Sequence, residues 1–377
     1  MFLILWIFLV TYSIGICYLI VFLVGLNIEV PDKPKTDRKT KISIIVPIYK
    51  EDRKIIKACL DSLLLQNPKR IRLYIVTKDV EQKNIQFIKR YKPHFASFRL
   101  LKQKKASLVK AYKLALGFVR TKYTCLVNVD ATLMKNSIGK LIWFVENDKV
   151  DIGFGIVLPK STTSFSKFTY IDKMIRQSLL QNGRGNLRMG NYIPGAFYIA
   201  ETEVLKSELI ESFTDDAALM LKAYSTNKIK LGCLRVPLAY ELEKKSFMSW
   251  TLQLSRWFVG NLKIYKLWMQ AFKNASVRIK IGIFGLIYIW YILPISIILG
   301  ILSVVFFNLN VFVLLISYLA LTALLYGIKE IRKLNPIYTI GFWLIYSLAK
   351  FSGILVSVYT NFVASYINEK SYLLYKR

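Results

Sequence analysis

The chain has few of the residues that build zinc sites or disulfide frameworks. Its 377 residues include four cysteines and one histidine, His94. Cys17, Cys59, Cys125 and Cys233 lie far apart, without a Cys-x-x-Cys pair. They and a single histidine therefore cannot supply the closely spaced ligands of a zinc site. We interpret them as reduced thiols in a domain that faces the cytoplasm.

Acidic residues are also scarce. The chain has 23 Asp and Glu against 54 Lys and Arg, a formal net charge of +31. Such an excess favours an anionic partner, which can be nucleic acid, lipid headgroups or a charged small substrate. The sequence contains no recognisable helix-turn-helix, zinc finger or similar module. We therefore predict no nucleic-acid partner, and expect anionic membrane lipids and an anionic substrate.

Hydrophobic residues make up 54% of the chain and are concentrated at its two ends. The run from Phe2 to Leu26 carries no charge, and a helix of this length spans the ~30 Å hydrocarbon core of a bilayer. It is longer than the apolar part of a usual signal peptide and lacks a preceding basic region. We predict a retained transmembrane anchor over residues 1–27.

The C-terminal part contains three apolar runs: Ile281 to Phe307, Leu309 to Ile328, and Ile337 to Ile367. They predict about three transmembrane helices within residues 279–368, the last being either one long tilted helix or a span followed by an interfacial helix. Basic residues follow the first apolar run and again occupy 329–333. The positive-inside rule therefore predicts a multi-pass protein of the cell membrane with a cytoplasmic middle domain.

Residues 246–278 precede the second predicted span and are rich in aromatic and basic residues. This composition is typical of amphipathic helices in the headgroup layer, with aromatic rings at the interface and basic groups on lipid phosphates. An ordinary amphipathic surface helix is the alternative.

The middle of the chain, residues 40–245, alternates between short β-branched runs and helical patterns. Strands are predicted at Ile42–Pro47, Ile71–Val76, Phe98–Leu101 and Tyr123–Val127, and helices lie between them. This alternation predicts an α/β domain with a mostly parallel sheet and helices on both faces. Ligands of such sheets bind at the carboxyl ends of the strands, so candidate site residues are sought there.

Two of these strand ends carry groups suited to a nucleotide. After the first strand, Pro47 is predicted to fix the exit turn, Tyr49 offers a ring for stacking on a base, and Glu51 offers an acceptor for a base or ribose. After the second strand, Asp79 can bind a uracil or ribose edge, or can instead cap the next helix.

The fourth strand is followed by Asn128 and Asp130. A carboxylate at the end of a buried strand is costly unless it is solvated or bound to a cation. Mg²⁺ and Mn²⁺ prefer oxygen ligands and share them between one or two carboxylates and substrate phosphates. Asp130 is therefore a candidate metal ligand, and a helix-capping role is the alternative.

Two further motifs lie downstream. Asp215 and Asp216 begin a helical pattern, where one carboxylate can act as a general base or both can simply favour the helix N-terminus. Gln253, Arg256 and Trp257 have the i, i+3, i+4 spacing that places them on one helix face. Arg256 supplies a fork for phosphate and Trp257 a flat ring.

In this order, the motifs resemble family-2 glycosyltransferases of the GT-A fold, in the membrane-bound branch of the cellulose, chitin and hyaluronan synthases. The resemblance covers about residues 40–265 and the flanking apolar runs. The matching segments are Pro47-x-Tyr49-x-Glu51, Asn128-Val129-Asp130, the segment beginning Gly195-Ala196, Thr214-Asp215-Asp216, and Gln253-x-x-Arg256-Trp257.

The resemblance implies a role for each motif. Asp130 corresponds to the metal-binding acid of an Asp-Ala-Asp motif whose first acid is here Asn128. Asp216 corresponds to the catalytic base, and Gln253, Arg256 and Trp257 to contacts with the nucleotide diphosphate and acceptor. Asp79 belongs to an altered form of the usual acidic pair, and Lys105 is a further candidate for the leaving diphosphate. The implied cofactor is Mg²⁺ or Mn²⁺.

The implied activity is that of an inverting hexosyltransferase that moves a sugar from a nucleotide-sugar donor, with UDP expected as the nucleotide. The acceptor is predicted to be a growing polysaccharide, in a reaction that can be coupled to export. Transfer of one sugar to a polyprenyl-phosphate or other lipid acceptor is the first alternative. A catalytically degenerate membrane protein that binds nucleotide or lipid is the second, and Asn128 is the residue that supports it.

Overall fold

The computed structural model describes residues 2–26, 35–37, 39–104, 107–212, 214–307, 311–329 and 331–364. Lys105, predicted to contact the substrate, lies outside these residues, as does the end of the last apolar stretch.

The middle domain, as far as the structure describes it, is built on a sheet of eight strands. The strands are β1 (Ile42–Ile48), β2 (Ile71–Thr77), β3 (Ser97–Lys102), β4 (Tyr123–Val127), β5 (Ala131–Leu133), β6 (Ile152–Lys160), β7 (Phe197–Glu201) and β8 (Leu231–Leu242). The four strands predicted from the sequence correspond to β1 to β4.

The strand order is β3-β2-β1-β4-β7-β6-β8-β5. The four strands from β3 to β4 are parallel, as predicted. Beyond them the sheet is mixed, because β7 runs antiparallel to both β4 and β6, and β5 runs antiparallel to β8. The prediction of a mostly parallel sheet therefore holds for the strands from β3 to β4 and for the parallel pair of β6 and β8, whereas the pairings of β7 and β5 are antiparallel.

The helices surround the sheet and continue into a C-terminal bundle. They are α1 (Phe2–Leu26), α2 (Arg53–Leu64), α3 (Gln82–Lys89), α4 (Leu108–Leu116), α5 (Ser137–Asn147), α6 (Ser166–Ile175), α7 (Arg184–Asn186), α8 (Thr202–Glu208), α9 (Asp215–Thr226), α10 (Phe247–Lys263), α11 (Tyr265–Asn274), α12 (Val277–Ile287), α13 (Leu293–Phe307), α14 (Val311–Leu325) and α15 (Pro336–Ala364). Wider π-helical turns at Arg176–Gly183 and Tyr288–Ile292 join α6 to α7 and α12 to α13.

Strand β1 shows how the sequence builds the core on both faces of the sheet. Ile42, Ile44, Val46 and Ile48 pack into one apolar layer, while the intervening Ile45 packs into the opposite layer. Successive side chains of a strand point to opposite faces, so a continuous β-branched run fits a strand that is buried on both.

Helix α1 packs directly against the catalytic domain. Its Gly25 lies so close to the π-helical turn that a Cβ there would stand 2.2 Å from the carbonyl oxygen of Gly183. A Cβ on Gly183 would in turn stand 2.1 Å from the carbonyl oxygen of Phe22. The two backbones touch because neither glycine carries a side chain.

Among the described residues, two helical segments are long and apolar enough to cross a membrane, namely Val277–Leu302 with 26 residues and Pro336–Tyr359 with 24. The last apolar stretch is thus one helix, α15, over its described length. The predicted span over Leu309–Ile328 corresponds to α14, which covers 15 residues of the described chain.

Residues 246–278 fold into α10 and α11. Helix α10 is buried along α15, with Trp250 only 1% exposed. Helix α11 packs against α9 and leaves Tyr265, Met269 and Phe272 exposed.

Candidate active site

A cleft opens where β1 and β4 separate. The pairing between them ends at Ile45 and Leu126, whereas β1 stays paired with β2 as far as Ile48. Pro47 lies inside β1 and pairs with Val76, so the prediction that it forms the exit turn is wrong. Because proline has no N–H to donate, it suits a position beyond the end of the β4 ladder. The strand order also reverses here, at the usual ligand position of an α/β sheet.

The loop after β1 is held by Glu51. Its carboxylate accepts a hydrogen bond from the Tyr49 N–H at 2.5 Å, and burial raises its pKa. Asp52, rather than Glu51, caps α2 by accepting from the Lys54 N–H at 2.9 Å. Tyr49 is half-buried beside this loop. Glu51 therefore shapes the loop that was predicted to contact the nucleotide.

Asp79 lies at the same edge, at the end of β2, in a left-handed conformation with φ of 53°. Its carboxylate pairs with the Lys78 ammonium group. The N-cap residue of α3 is Glu81, so the alternative role of Asp79 as a helix cap is wrong. The Lys78 N–H donates to the Ile48 carbonyl at 3.0 Å, which holds this loop beside the end of β1.

Asn128 and Asp130 follow β4 and differ in their surroundings. The Asn128 carboxamide oxygen accepts a hydrogen bond from the Tyr112 hydroxyl at 3.1 Å. Asp130 is followed by Ala131, which pairs with Glu241 of β8. Burial, together with the negative charge of Glu241, raises the pKa of Asp130 to about 6. Lys244 and Lys173 act in the opposite direction, so Asp130 lies among charges of both signs.

Asp215 and Asp216 begin helix α9, as predicted. The Asp216 carboxylate accepts from the Ala217 N–H at 2.8 Å. A Cβ on Gly195 would stand only 2.7 Å from the other oxygen, Oδ2, of Asp216. Gly195 thus allows the carboxylate of the predicted base to lie directly against the backbone of the segment before β7.

We expect Gly195→Ala to lower turnover by about one to two orders of magnitude, because the new methyl group displaces the Asp216 carboxylate and misplaced catalytic groups carry penalties of this size. The fold should persist, since the clashing atom is the end of a side chain. Steady-state rates and thermal unfolding of the purified variant measure both effects. Gly117→Ala is the matched control, because a Cβ there would meet its nearest atom at an ordinary 3.5 Å. Unchanged turnover in Gly195→Ala would contradict the assignment.

Asp215 is 7% exposed. Its burial, followed by the charge of Asp216, raises the pKa of Asp215 to about 7. The folded state therefore binds this proton more tightly than the unfolded chain does. The stability that this group contributes is present below its ordinary pKa of 3.8 and is lost as the pH rises through about 7.

Asp215→Asn should consequently stabilise the protein more at pH 8 than at pH 5, by an added amount on the order of a few kcal/mol. In the folded protein at pH 5, Asp215 is largely protonated and the asparagine that replaces it is neutral, so neither side chain carries a buried charge. The stability difference between the two proteins at pH 5 therefore serves as the internal reference. Thermal unfolding in one detergent at the two pH values measures the difference. If the substitution changes the stability by the same amount at pH 5 and at pH 8, the ionised form of Asp215 is not disfavoured in the folded protein.

Helix α10 brings Arg256 to both acidic groups. Asp130, Asp216 and Asp215 all interact electrostatically with the guanidinium group, and burial lowers the pKa of Arg256. Its Nε is buried and has no hydrogen-bond partner among the described residues. Gln253 lies half-buried one turn earlier on the same helix. Arg256 thus offers a free donor between the carboxylate after β4 and the pair at the start of α9.

Trp257 contacts a residue that the sequence did not single out. The guanidinium of Arg176, at the start of the π-helical turn, lies over the Trp257 ring, 4.6 Å from its centroid. One face of the ring predicted to stack on an acceptor sugar is therefore covered by protein.

Sequence reasoning also missed the ion pairs behind the cleft. Lys173 pairs with Glu241, and Arg176 pairs with Asp172 at 3.0 Å. The i, i+4 spacing of Asp172 and Arg176 was a readable signal. The pairing of Lys173 could not be predicted in this way, because its partner Glu241 lies 68 positions away. Glu241 also lies near the end of β8, a strand that was not predicted.

Comparison with known families agrees with this arrangement. The profile of glycosyl transferase family 2 matches residues 43–201, and that of glycosyl transferase family group 2 matches residues 124–327, more than half of the chain. The chain is a family-2 glycosyltransferase. No curated protein sequence matches it.

The fold of this glycosyltransferase is similar to that of the mannosyltransferase PcManGT from Pyrobaculum calidifontis, solved in complex with GDP-Man and Mn²⁺. The TM-score is 0.65 at 12% identity, over 94% of this chain and 98% of that one. S. aureus TarS 1–349 in complex with UDP matches with a TM-score of 0.44 at 15% identity, over 83% of this chain and 90% of that one. A GT-A-like α/β fold is therefore established.

The residues of the glycosyltransferase cleft fit one kind of metal site. Within the described ranges, no three His, Cys, Asp or Glu side chains come together to enclose an ion. Asp130 and Glu241 are neighbours, but Lys173 already pairs with Glu241. Mg²⁺ often takes only one or two carboxylates and completes its shell with phosphates and water. The donor set therefore fits a divalent cation that arrives with a diphosphate.

Proposed function

We propose that the protein transfers a sugar from a nucleotide-sugar to an acceptor hydroxyl, with inversion, at the cytoplasmic face of a membrane. The observation that carries the proposal is that the charge of Arg256, on α10, interacts with both Asp130 after β4 and the pair Asp215–Asp216 at the start of α9. A cation and separated carboxylates are the groups needed for a diphosphate leaving group and a general base.

The residues have distinct roles in this proposal. Arg256 binds the donor diphosphate and stabilises the charge that develops on it. Asp130 holds the divalent cation, which when bound adds Lewis-acid stabilisation to the same leaving group. Asp216 accepts the proton of the acceptor hydroxyl, whose oxygen attacks the anomeric carbon opposite the leaving group and so inverts it.

The donor class is supported by the mannosyltransferase of similar fold, which was solved with GDP-Man and Mn²⁺. We propose a nucleoside-diphosphate sugar and Mg²⁺ or Mn²⁺ for this chain also. UDP is the nucleotide expected from the sequence resemblance, and GDP is the alternative that the similar structure supports.

Membrane attachment is supported by the surface of the C-terminal helices. Helix α15 exposes a run of apolar side chains that includes Ile337, Ile340, Leu355 and Tyr359. Exposed apolar patches of this kind mark contact with a membrane or a partner. Helix α11 also exposes apolar and aromatic side chains, Tyr265, Met269 and Phe272, and carries lysines that suit anionic lipid headgroups.

The acceptor that we propose is a growing polysaccharide, and the alternative is transfer of a single sugar to a polyprenyl-phosphate or other lipid acceptor. The match at Gln253, Arg256 and Trp257 is the sequence feature that favours the polysaccharide. Export of a polysaccharide would need a passage between the C-terminal helices. The buried side chains of Leu293, Phe342 and Trp343 fill the space between these helices, which favours the lipid acceptor.

A panel of nucleotide-sugars tests the proposal. The full chain, purified in detergent, is incubated with each UDP- or GDP-sugar, Mn²⁺ and a membrane lipid extract. Nucleotide release and product length are then measured. Release that depends on both metal and acceptor supports the proposal, and products extended by one sugar favour the lipid-linked acceptor. Absence of metal-dependent release with every donor would refute it.

A further inference from the structure

Tyr112 places a buried hydroxyl group among the acids of the catalytic cleft. The residue lies on α4 and is 1% exposed. Its side chain interacts electrostatically with Asp130 and with the acid pair at the start of α9. The hydroxyl group donates its proton to none of these carboxylates but to the neutral Asn128 carboxamide oxygen, at 3.1 Å. A buried hydroxyl group needs such a partner, and the bond fixes the orientation of the Asn128 carboxamide.

The Asn128 side chain keeps one group free. Its backbone N–H donates to the Ala196 carbonyl at 2.9 Å, and its backbone carbonyl accepts from the Ala131 N–H at 3.0 Å. A carboxamide has an oxygen that accepts and an NH₂ group with two donors. Because the oxygen faces Tyr112, the NH₂ group points away from it, and it has no hydrogen-bond partner among the residues that the structure describes. Asn128 is half-buried, so this group is a free donor at the wall of the cleft.

Asn128 lies between the candidate metal ligand and the candidate base. A tight turn joins it to Asp130, two positions further on. Its backbone partner Ala196 follows Gly195, whose backbone lies against the Asp216 carboxylate. A carboxylate at position 128 would add a negative charge to a place that already holds several, and it would repel an anionic ligand. The amide avoids this repulsion and supplies a donor instead.

We propose that Tyr112 is a positioning residue, which holds the Asn128 carboxamide so that its NH₂ group donates to an oxygen of the donor diphosphate. The assignment rests on the proposed sugar transfer, because that reaction brings the diphosphate beside Asp130. Charged phosphate oxygens form strong hydrogen bonds with N–H donors. Since the diphosphate then faces one carboxylate and one neutral donor, it needs less charge compensation from a divalent cation. The donor nucleotide therefore binds even when no divalent cation is supplied.

Nucleotide binding to the full chain in detergent tests the orienting role. UDP and GDP are the probes, and each is titrated by calorimetry with Mn²⁺ and again with EDTA. Tyr112→Phe removes only the hydroxyl group, and it should weaken binding of the nucleoside diphosphate by about tenfold, the effect of a lost hydrogen bond to a charged group. The donor KM should rise by a similar factor while kcat stays within about twofold, a split that a general loss of structure would not produce. Unchanged affinity in Tyr112→Phe would overturn the role.

A double-mutant cycle shows whether Tyr112 acts through Asn128. Asn128→Ala should weaken binding as much as Tyr112→Phe does, and the double variant should weaken it no further, because residues that act as one unit are not additive. Additive losses would show that Tyr112 does not work by orienting Asn128. Tyr91→Phe is the matched control, since it removes another buried hydroxyl group, one that donates to Asp61 at 2.7 Å. It should leave nucleotide affinity unchanged.

Asn128→Asp tests the claim about the cation, and it decides alone if Tyr112→Phe does not fold. With Mn²⁺ the variant should bind the nucleoside diphosphate within a few-fold of the wild type. In EDTA its affinity should be about a hundredfold lower than that of the wild type, because the new carboxylate repels the diphosphate. Equal binding by wild type and variant in EDTA would show that the NH₂ group does not face the diphosphate, and would refute the proposal.

The free nucleosides locate the contact on the donor. Uridine or guanosine should bind Tyr112→Phe as it binds the wild type, and a loss equal to that of the diphosphate would move the contact to the nucleoside and overturn the assignment. If neither UDP nor GDP binds the wild type, the donor class is wrong, and the role of Tyr112 with it. If one of them binds and both variants bind it like the wild type, only the role of Tyr112 is wrong, and the transferase proposal stands.

Discussion

Replacing Asp216 with Asn should reduce sugar transfer by about 10²–10⁴-fold, the usual contribution of a general base. The carboxylate lies against Gly195 and accepts the Ala217 N–H, so an amide of the same shape fits with little disturbance. The amide cannot accept the proton of the acceptor hydroxyl. Nucleotide-sugar affinity should stay within a few-fold of wild type, because the diphosphate contacts are assigned to other residues.

Asp148→Asn is the matched control, since it makes the same change at an exposed position at the end of α5. Rates at saturating donor and donor affinity by calorimetry separate turnover from binding. Retained turnover in Asp216→Asn would move the role of base to another carboxylate, of which Asp215 is the nearest in sequence.

Replacing Arg256 with Met should lower kcat/KM by about 10²–10³-fold, the cost of removing one preorganised electrostatic donor. A second effect follows from its position among the acids. Arg256 lowers the pKa values of Asp215 and Asp216, which burial raises. Without Arg256 those carboxylates hold their protons to higher pH, so the acidic limb of the pH–rate profile should shift upward.

Arg256→Lys distinguishes charge from geometry. A lysine keeps the positive charge but not the planar fork, so it should restore the position of the acidic limb more fully than the rate. Arg120→Met changes an exposed arginine and should leave both unchanged. A loss of rate in Arg256→Met without a shift of the acidic limb would indicate that the guanidinium acts on the donor alone.

The first half of the sheet could be read from the sequence, and the second half could not. Strands β1 and β2 are short runs, largely apolar and buried on both faces, and such runs are recognisable without a partner. Strand β6 is interrupted by Gly153, Gly155 and Pro159, which obscure that pattern. It pairs with β8 through register shifts next to Gly155, and such irregular pairing is fixed by the finished sheet.

The residues of the candidate active site divide in the same way, into some that the sequence predicts and others that it does not. The acids at the ends of β4 and at the start of α9 were predictable because strand ends and helix starts can be located along the chain. The electrostatic interaction of Arg256 with them depends on how α10 packs along α15. The cover of Arg176 over Trp257 depends on a π-helical turn, whose extra width is not signalled by residue type. The positions of Arg256 and Arg176 are therefore set by packing between distant segments and not by local secondary-structure propensity.

The close contact between α1 and the π-helical turn has a consequence for biosynthesis. Asn186 donates a hydrogen bond to the Gly25 carbonyl across 161 positions, and Ser296 donates one to Thr11 across 285. Helix α1 is translated long before either partner exists, and contacts between distant parts of a chain form slowly. The surface of α1 around Gly25 therefore stays uncovered until the segment around Gly183 and helix α13 have been synthesised. A ribosome that stalls before α13 would therefore release a chain in which α1 lacks this hydrogen-bond partner.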